Sequence, residues 1–353
     1  MSLPTEPIGS IPRPQALLTA IADHASGRIG RDALEALYDD AVRDTITRFE
    51  ALGSPVVTDG EQRKPSFITY PLQGVDLAAD GVVIPFADGH TRQFPRLTTG
   101  PFRYTTRSED YLRAALRHAT VPVKQAVIAP SALSLLYPDE GIEGYDREAF
   151  LDDLVDQAEA DVRGALAAGA DTVQLDFTEG RLAIKLDPSK QILASFVALN
   201  NRVLDRFTPQ ERARIGVHTC PGGDQDSTHS LDVDYVDLLP SLFGLHAGVF
   251  YIQLAGESDP RRVLAAITAH TRPDQRIFVG VTDPIDPVVE SPRQVRDRVL
   301  LAAEYITPQR LGTCDDCGFA PFSDDLSTSR DTAWAKVRAR IEGTALAAEQ
   351  LGI

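Results

Sequence analysis

The sequence has no long apolar run and few cysteines. No stretch approaches the roughly 18 consecutive apolar residues of a membrane-spanning helix, so we expect no membrane association. Three cysteines in 353 residues cannot build a disulfide framework, and in a reducing compartment clustered cysteines more often serve metal binding or catalysis. The N-terminal MSLPTEPIGSIPRP has neither the basic nor the apolar segment of a signal peptide. We therefore expect a cytoplasmic protein.

Positive charge is also scarce. The 35 Lys and Arg residues stand against 51 Asp and Glu residues, which gives a formal net charge of −16. Such a charge repels nucleic-acid phosphates and anionic lipid headgroups. The expected partners are small molecules, with neither nucleic acid nor a membrane among them. The sequence leaves open whether the chain forms a homo-oligomer.

Helical and strand patterns alternate along the whole chain. Apolar residues at three- and four-residue spacing predict helices over Arg31–Leu52, Arg147–Ala168, Gln294–Glu304 and Thr332–Leu351. Between the helices, β-branched runs predict buried parallel strands at Pro55–Thr58, Val121–Ile128, Thr172–Leu175, Ile215–Val217, Gly248–Leu254, Arg276–Gly280 and Gln309–Thr313. A segment before Ile8 supplies an eighth strand. The alternation predicts a single-domain (β/α)8 TIM barrel over residues 1–353, with a doubly wound sheet as the alternative.

The stretch Tyr70–Tyr104 interrupts this alternation. It contains the turn pair Asp80–Gly81 and mixes polar with β-branched residues, which is typical of a hairpin. We expect a hairpin insertion near residues 70–105, between barrel strands two and three, that shapes one side of the site.

Polar, titratable or thiol side chains follow most of the predicted strands. In chain order these strand ends are Ile8-Gly9-Ser10, Asp59-Gly60-Glu61, Ala129-Pro130-Ser131, Asp176, His218-Thr219-Cys220, Gln253, Thr282-Asp283 and Asp316-Cys317. Barrel enzymes build their active sites at the carboxyl ends of the strands. The strand ends therefore predict the site, although loops are polar in any protein.

His218 and Cys220 form the sharpest local motif. Residues two apart on an extended strand point the same way, so the imidazole and the thiolate can converge on one metal ion. Cys317 follows the last strand, beside the first strand of a closed barrel, and completes a His-Cys-Cys set with an open fourth position. Zn²⁺ is the expected cofactor, and a substrate thiol at the open position would be activated as a thiolate.

Two alternatives concern the third cysteine. Cys314 rather than Cys317 could be the ligand, because spacing alone does not decide between them. The pair Cys314-x-x-Cys317 could instead be a redox motif, although such pairs normally open a helix and this one is followed by Gly-Phe-Ala-Pro.

These motifs resemble those of the cobalamin-independent methionine synthases, specifically the catalytic C-terminal barrel and its shorter stand-alone relatives. The resemblance runs from about residue 7 to 350 and rests on Ile8-Gly9-Ser10-Ile11-Pro12-Arg13, Asp59-Gly60-Glu61, Asp176, His218-x-Cys220, Glu290-Ser291-Pro292, Asp316-Cys317-Gly318 and Ser329-Arg330-Asp331. It implies a zinc-dependent methyl- or alkyltransferase of methionine biosynthesis, in which the thiol of homocysteine attacks a methyl group on 5-methyltetrahydrofolate. The small-molecule partners would then be a thiol and an alkyl donor.

The resemblance also implies a role for each site residue. These roles are zinc ligation by His218, Cys220 and Cys317, binding of the substrate's amino group by Glu61 and Asp176, and binding of its carboxylate by Ile8, Gly9 and Ser10.

Three side chains have further predicted roles in the site: Gln253, Glu61 and Asp283. Gln253 stands where the family usually has a Glu as fourth zinc ligand, and we expect it to contact the substrate. Glu61 and Asp283 are candidate catalytic residues that manage a proton. The alternative is that these acids merely pair with Arg63, Arg181 or a helix N-terminus.

The sequence departs from the family where folate is recognised. Ile285 stands at the position of a histidine that protonates the departing folate, and the family's Trp is missing near Leu135–Tyr137. The usual Asp-Glu-Pro has become Asp176-Phe177-Thr178-Glu179. Short relatives include epoxyalkane:coenzyme M transferase, which opens an epoxide with a zinc-bound thiol and without folate. Epoxide opening is therefore the alternative reaction.

Two other classes of protein account for less of the sequence. A metal-free, decarboxylase-like barrel would need an array of Arg and Asp in its cleft and would not use His218-x-Cys220. A zinc or thiol carrier would close its metal site with four strong ligands, and only three are evident. His229 and Asp226, in the loop after Cys220, are candidates to reach the substrate, but we interpret them as solvated loop residues.

Overall fold

Strands and helices alternate in the computed structural model, which describes residues 3–353. The strands are β1 (Leu77–Ala78), β2 (Val83–Pro85), β3 (Thr91–Gln93), β4 (Arg96–Leu97), β5 (Gln125–Ile128), β6 (Val173–Asp176), β7 (Ile215–Thr219), β8 (Gly223–Asp224), β9 (Ser227–Thr228), β10 (Val249–Ile252), β11 (Arg276–Thr282) and β12 (Leu311–Asp315). The α-helices are α1 (Gln15–Ala25), α2 (Arg31–Ala51), α3 (Ser108–Leu116), α4 (Pro130–Leu133), α5 (Arg147–Ala168), α6 (Gly180–Leu186), α7 (Gln191–Leu204), α8 (Pro209–Arg212), α9 (Leu239–Leu242), α10 (Pro260–His270), α11 (Pro292–Ala303) and α12 (Arg330–Leu351). Short 3-10 turns lie at Tyr70–Leu72, Ser134–Leu136 and Tyr235–Asp237.

Six of these strands form one parallel sheet in the order β12-β11-β10-β7-β6-β5. Apart from Arg276, every residue in them is buried. Burial on both faces explains why the strands read as continuous apolar runs rather than as alternating patterns.

Two further segments close the sheet into a barrel. Thr5 pairs with Thr313 of β12, and Val57 pairs with Val123 next to β5, both in parallel. The two segments meet each other where the Thr58 hydroxyl donates to the carbonyl of Gly9, at 2.9 Å. The eight positions confirm the (β/α)8 TIM barrel, and the doubly wound sheet is wrong.

The four predicted helices are present close to their predicted bounds, as α2, α5, α11 and α12. Side-chain caps explain where three of them begin. Asp146 caps α5, Ser329 caps α12, and Ser291 forms a capping box with Gln294 at α11. None of the helices described combines the length and the apolar character needed to cross a bilayer.

Aromatic side chains fill the barrel interior. Tyr251 and Phe278 pack there with their ring centroids 5.1 Å apart. Gly216 and Gly312 make room for them, since an added Cβ would lie 2.6 Å from the Tyr251 ring and 2.5 Å from the Phe278 ring. The floor under the site is therefore solid, and ligands can enter only from the carboxyl ends of the strands.

The predicted hairpin insertion is confirmed and consists of two short antiparallel ladders, β1 with β4 and β2 with β3. Its turn, however, lies at Asp88–Gly89, where Gly89 has a φ of 94° and the N–H of Phe86 bonds to His90 O at 2.9 Å. Asp80–Gly81 instead links β1 to β2. The tip of the insertion contacts the loop after β7, because Ala87 N donates to Thr228 O at 3.0 Å.

Arg340 of α12 connects the last helix to the barrel. Its replacement tests how much this connection contributes to the stability of the fold. It is fully buried, with Nε donating to Asp315 at 3.0 Å and Nη1 to Thr5 at 2.6 Å. We expect Arg340→Leu to lower the free energy of unfolding by about 3–5 kcal/mol, since it breaks a buried ion pair. Urea unfolding measures the change. Arg338→Leu, on the exposed side of α12, should cost less than about 0.5 kcal/mol; equal losses in both variants would contradict this role.

Candidate metal centre and active site

His218, Cys220 and Cys317 converge at the carboxyl ends of β7 and β12. All three are buried, and their ligand atoms lie within 4.8 Å of one another. The two sulfur atoms are 3.2 Å apart. Strand alternation is the reason that His218 and Cys220 face the same way, while Cys317 reaches them because it follows β12. The structure thus brings the predicted ligand set together.

Cys314 is excluded from this cluster. It lies within β12, packs in the barrel interior against Phe278 and Tyr251, and its sulfur lies 3.7 Å from the carbonyl of Phe278. Cys317 lies beyond the end of the strand and contacts Cys220 instead. The alternative ligand assignment is therefore wrong, and so is the redox interpretation of Cys314-x-x-Cys317.

Asp176 orients the histidine of the cluster. Its Oδ1 lies 3.1 Å from His218 Nδ1 and accepts a second hydrogen bond, at 2.7 Å, from Gln174 Nε2. A carboxylate that holds one ring nitrogen of a histidine leaves the other nitrogen free for a metal and fixes the ring orientation. Asp176 therefore serves the cluster directly, in addition to its predicted role with substrate.

The electrostatics of the cluster favour a charged pair. The Cys317 thiol donates to Cys220 and, together with His218, lowers the pKa of the Cys220 thiol well below its usual value, although burial alone would raise it. Burial lowers the pKa of His218, but Cys220 and Asp176 raise it more, to about 10. The site therefore stabilises a thiolate beside a positive charge, which is the electrostatic situation that a bound cation also creates.

The donor set fits zinc. One imidazole nitrogen and two thiolates suit this ion, and a tetrahedral site with Zn–S bonds of about 2.3 Å and Zn–N bonds of about 2.0 Å places its ligand atoms within the separation seen here. Only three strong donors are present among the described residues of the cluster. A fourth position is thus available to a substrate, as in catalytic rather than structural zinc sites.

The arginines expected as partners of the site acids bind elsewhere. Arg63 pairs with Glu35, and Arg181 pairs with Glu257 at 2.8 Å and with the amide oxygen of Gln253 at 3.1 Å. Glu61 and Asp176 are therefore not neutralised by arginine. Since Gln253 and Glu257 are both held by Arg181 outside the cluster, the substrate-binding role of Gln253 stays a prediction.

A small space, here called the inner cavity, adjoins the metal cluster. It has a volume of about 30 Å³ and is lined by Ile8, Gly9, Ser10, Glu61, Phe67, Gln174, Asp176, Thr178, His218, Cys220, Gly222, Gly223, Cys317, Gly318 and Pro321. The charged lining side chains other than the metal ligands are two carboxylates, Glu61 and Asp176, and no lysine or arginine belongs to the lining. Glu61 is paired with Lys64, whereas Asp176 has no lysine or arginine partner among the residues described, so the inner cavity favours a positively charged group beside Asp176.

Glu61 is held in a strained turn at the wall of the inner cavity. Its φ is 55°, and its backbone N–H donates to Asp59 Oδ1 at 2.8 Å. The side chain pairs with Lys64 at 2.8 Å. Burial raises the pKa of Glu61, as does Asp176, while Lys64 lowers it. A left-handed conformation at a non-glycine residue is unusual and here presents the carboxylate to the inner cavity.

Arg13 fixes this turn from behind. Its guanidinium donates to the carbonyls of Glu61 at 2.9 Å, Lys64 at 2.6 Å and Phe322 at 3.2 Å. One side chain thus joins the Glu61 turn to the segment that follows Cys317, which explains why Arg13 belongs to the N-terminal motif.

Asp283, a predicted catalytic residue, lines neither the inner cavity nor the larger space that opens beside it. Its backbone N–H donates to Glu290 and its carboxylate accepts from Ile285 N at 3.0 Å. Burial raises the pKa of Asp283. Burial also raises the pKa of Asp316, and the Asp283 carboxylate contributes in the same direction. Nothing in this geometry shows a catalytic contact, so the role of Asp283 stays a prediction.

A larger space, here called the outer chamber, opens beside the inner cavity. Its volume is about 350 Å³, and Phe67, Thr178, Gly222 and Gly223 line both spaces. The remaining walls are largely apolar. They come from the segment before the hairpin insertion, the insertion itself, α4 and the turn after it, the start of α6, and the loops after β7 and β12: Pro65, Ser66, Ile68, Thr69, Ile84, Phe86, Arg92, Gln93, Phe94, Pro95, Ala132, Leu135, Glu179, Leu182, His229, Phe322, Ser323 and Asp324. The predicted effect of the hairpin on one side of the site is confirmed.

His229 is part of this chamber, and its interpretation as a solvated loop residue is wrong. It is buried, and Phe86 of the insertion packs against its ring with centroids 5.5 Å apart. Gly222 allows this packing, since an added Cβ would lie 1.7 Å from His229 Nε2. Burial lowers the pKa of His229 to about 4. Asp226, in contrast, is exposed as expected.

Ile285 lies beside the metal cluster, at the place where the family resemblance implies a proton-donating histidine. Its Cδ1 and the sulfur of Cys317 lie 3.0 Å and 3.8 Å from the position of a Cβ on Gly223. An isoleucine there cannot transfer a proton. Sequence reasoning identified this loss but not Glu179, Gln174, Lys64 or Phe67 as site residues, because their placement depends on tertiary packing.

The fold and the site together define a (β/α)8 barrel with a His-Cys-Cys cluster able to hold a metal at the carboxyl ends of its strands. Residues 3–330 match the family model described as "Cobalamin-independent synthase, Catalytic domain". The chain belongs to this family. Membership confirms the resemblance inferred from the motifs and makes the chain a methyltransferase-like enzyme.

Proteins called methionine synthases are similar over nearly the whole chain. The one from Sulfurisphaera tokodaii is 22% identical over 350 residues, which are 99% of this chain and 94% of that protein. A methionine synthase from Saccharolobus islandicus is also 22% identical over 350 residues, covering 99% and 96%. The structure of a B12-independent methionine synthase from Shewanella sp., in complex with selenomethionine, has a TM-score of 0.77 at 18% identity and covers 99% of each chain. At this identity the structural likeness shows the fold.

Proposed function

We propose that this chain is a zinc-dependent S-alkyltransferase whose acceptor is a thiol carrying an ammonium group, as homocysteine does. The observation that carries the proposal is the His218-Cys220-Cys317 cluster in the wall of a cavity that also presents the carboxylates of Glu61 and Asp176. A zinc ion held there would supply the positive charge that keeps the substrate thiol deprotonated at neutral pH.

The residues of the chain would bind and orient the thiol substrate. Glu61 and Asp176 attract its ammonium group, while the backbone and hydroxyl groups of Ile8–Ser10, which line the same cavity, would bind its carboxylate. Asp176 also fixes the ring of His218. Holding the thiol next to the outer chamber supplies the orientation that a two-substrate reaction needs.

The charge of the inner cavity discriminates between thiols. Coenzyme M carries a sulfonate, and neither lysine nor arginine lines the cavity to receive it. Lys64 is close, but its Nζ is engaged by Glu61 at 2.8 Å and by the carbonyl of Ala126 at 2.9 Å. The geometry therefore favours homocysteine over coenzyme M.

The outer chamber is the place for the alkyl donor. The family resemblance implies 5-methyltetrahydrofolate, a donor whose glutamate carboxylates are best met by cations. Arg92 is the cation in the chamber lining, and Asp224 and Asp324 engage its guanidinium, at 2.9 and 2.8 Å. This neutralised, largely apolar lining favours the second candidate reaction, alkyl transfer from an uncharged donor such as an epoxide.

Metal content and zinc X-ray absorption test the proposed function. We expect about one zinc per chain, with two sulfur neighbours before addition of thiol and a third after addition of homocysteine. Coenzyme M should add none at the same concentration. Absence of zinc from protein purified with zinc in the medium, or zinc that gains no sulfur with any thiol, would contradict the proposal.

Glu61→Gln tests recognition of the ammonium group. The change should raise KM for homocysteine by about 10- to 100-fold, because a charge-assisted hydrogen bond of about 1.5–3 kcal/mol is lost. 4-Mercaptobutanoate, which lacks only the amino group, should react equally well with both proteins. Zinc content and circular dichroism monitor the fold, and Glu35→Gln removes an acid outside the site as a control. An equal loss with both thiols would show that Glu61 does not read the ammonium group.

A further inference from the structure

Glu179 is an acidic residue in the wall of the outer chamber. It has no role in the proposed binding of zinc or of the thiol. It follows Thr178, which lines both spaces, and precedes α6. The side chain is 5% exposed. Ser131 donates its hydroxyl to Oε1, whereas Oε2 is buried and has no hydrogen-bond partner. A buried carboxyl oxygen without a partner is costly in a resting structure and indicates a ligand that completes its hydrogen bonding.

We propose that Glu179 is the acid that protonates the departing oxygen of an uncharged, largely apolar alkyl donor, an ether or epoxide, bound in the outer chamber. This inference rests on the proposed function and names the donor class of the same site. It also assigns a proton donor to the site, in which Ile285 replaces the proton-donating histidine that the family resemblance implies.

The step balances without a further reactant. The sulfur of the thiolate forms a bond to the alkyl carbon, and the carbon–oxygen bond breaks with its electron pair moving to oxygen. That oxygen takes the proton from the carboxyl group of Glu179. The proton that the thiol lost on binding goes to solvent, and Glu179 regains one from solvent, so that thiol and ether give thioether and alcohol.

The protonation state of Glu179 suits this task. Burial raises its pKa to about 8, with the Asp176 carboxylate contributing in the same direction and the Ser131 hydrogen bond opposing it. The other charged or titratable groups of the chamber are His229, which burial keeps neutral, and the Arg92–Asp324 pair. Glu179 is therefore largely protonated at neutral pH, and its acid function should fade as the pH rises above about 8.

The lining of the chamber restricts the class of donor. Phe67, Ile84, Phe86, Phe94 and Phe322 supply apolar and aromatic surface. In a volume of about 350 Å³ they suit a compact molecule such as an aryl methyl ether or a short epoxide. The leaving groups of such molecules are poor. A proton transferred to the departing alkoxide or phenoxide typically raises the reaction rate by about 10²- to 10⁴-fold.

The test compares donors whose leaving groups need a proton with donors whose leaving groups do not. Substituted aryl methyl ethers and epoxypropane form the first set; iodomethane and trimethylsulfonium form the second. With homocysteine as acceptor, Glu179→Gln should lower kcat about 100-fold or more for the first set and change the second by less than about 2-fold. For the wild type, kcat with the ethers should fall above about pH 8. This fall should be absent in Glu179→Gln.

A leaving-group series distinguishes proton donation from a structural role. The rate of Glu179→Gln should depend steeply on the leaving-group pKa of the ethers, and that of the wild type only weakly. Glu179→Asp should recover part of the ether activity, and Glu35→Gln, which removes an acid outside both spaces, should leave both donor sets unchanged. Equal losses with ethers and iodomethane would overturn the proposal, as would an unimpaired ether reaction in Glu179→Gln.

Failure of the Glu179 proposal can be distinguished from failure of the proposed S-alkyltransferase function. If zinc and homocysteine bind and iodomethane alkylates the thiol, but neither ethers nor epoxide react, the donor class is wrong while the S-alkyltransferase stands. Turnover of 5-methyltetrahydrofolate that Glu179→Gln leaves unchanged would overturn the inference in the same way. Failure to bind zinc or thiol at all would instead overturn the proposed function.

Discussion

Cys317→Ser should remove the metal and reduce activity to less than about a thousandth of the wild-type value. The sulfur of Cys317 is 3.2 Å from that of Cys220, with all three candidate ligand atoms within 4.8 Å of one another. A serine hydroxyl is a far weaker ligand for zinc than a thiolate, and a site with two strong ligands cannot retain the ion against dilution. Elemental analysis and the rate of thiol alkylation measure the two effects.

Cys314→Ser is the matched control for this prediction. The two cysteines are three positions apart, but Cys314 packs in the barrel interior against Phe278 and Tyr251. The substitution should retain about one zinc per chain and most of the activity, with at most a modest loss of stability from burying a hydroxyl. Loss of zinc in Cys314→Ser, or full retention in Cys317→Ser, would contradict the ligand assignment.

The barrel could be predicted from the sequence because each β-branched run is buried on both faces and the helices between them carry local end signals. The first two strands were harder to delimit, since Thr5 and Val57 each form only a single bridge. Asp80–Gly81 is a strong turn former and predicts the hairpin turn, yet the chain turns at Asp88–Gly89. Asp88–Gly89 is the same kind of turn pair, so local turn preference alone does not choose between the two positions.

The metal ligands could be predicted because two local rules act together. Alternation along β7 directs His218 and Cys220 to one side, and barrel closure brings the end of β12 beside them. The choice between Cys314 and Cys317 could not be made, since it depends on β12 ending at Asp315.

Residues of the outer chamber could not be predicted for a different reason. His229 and Glu179 lie far apart in sequence, and both are buried in the wall of the outer chamber, which the hairpin insertion helps to build. Phe86 of that insertion packs on His229. Burial then shifts the pKa of His229 down and that of Glu179 up, so the chemistry of both side chains is a consequence of tertiary packing.

Asp176→Ala is expected to have the broadest effect on the site, since one carboxylate performs two tasks there. It holds His218 Nδ1 at 3.1 Å, and it is the carboxylate of the inner cavity without a lysine or arginine partner in the described chain, which suits it to receive the substrate ammonium group. Loss of an orienting carboxylate costs about 10- to 100-fold in metal affinity, and loss of the ammonium contact a similar factor in KM. At limiting zinc, kcat/KM with homocysteine should therefore fall about 1000-fold.

Asp176→Asn separates the two tasks. The amide oxygen can still accept a hydrogen bond from His218, so zinc affinity, measured by competition with a chelator, should stay near the wild-type value. The neutral amide cannot attract an ammonium group, so KM for homocysteine should rise while that for 4-mercaptobutanoate stays unchanged. If Asn and Ala weaken zinc equally, the charge of Asp176 rather than its hydrogen bond supports the metal site. If both variants change KM equally for homocysteine and 4-mercaptobutanoate, Glu61 alone binds the ammonium group.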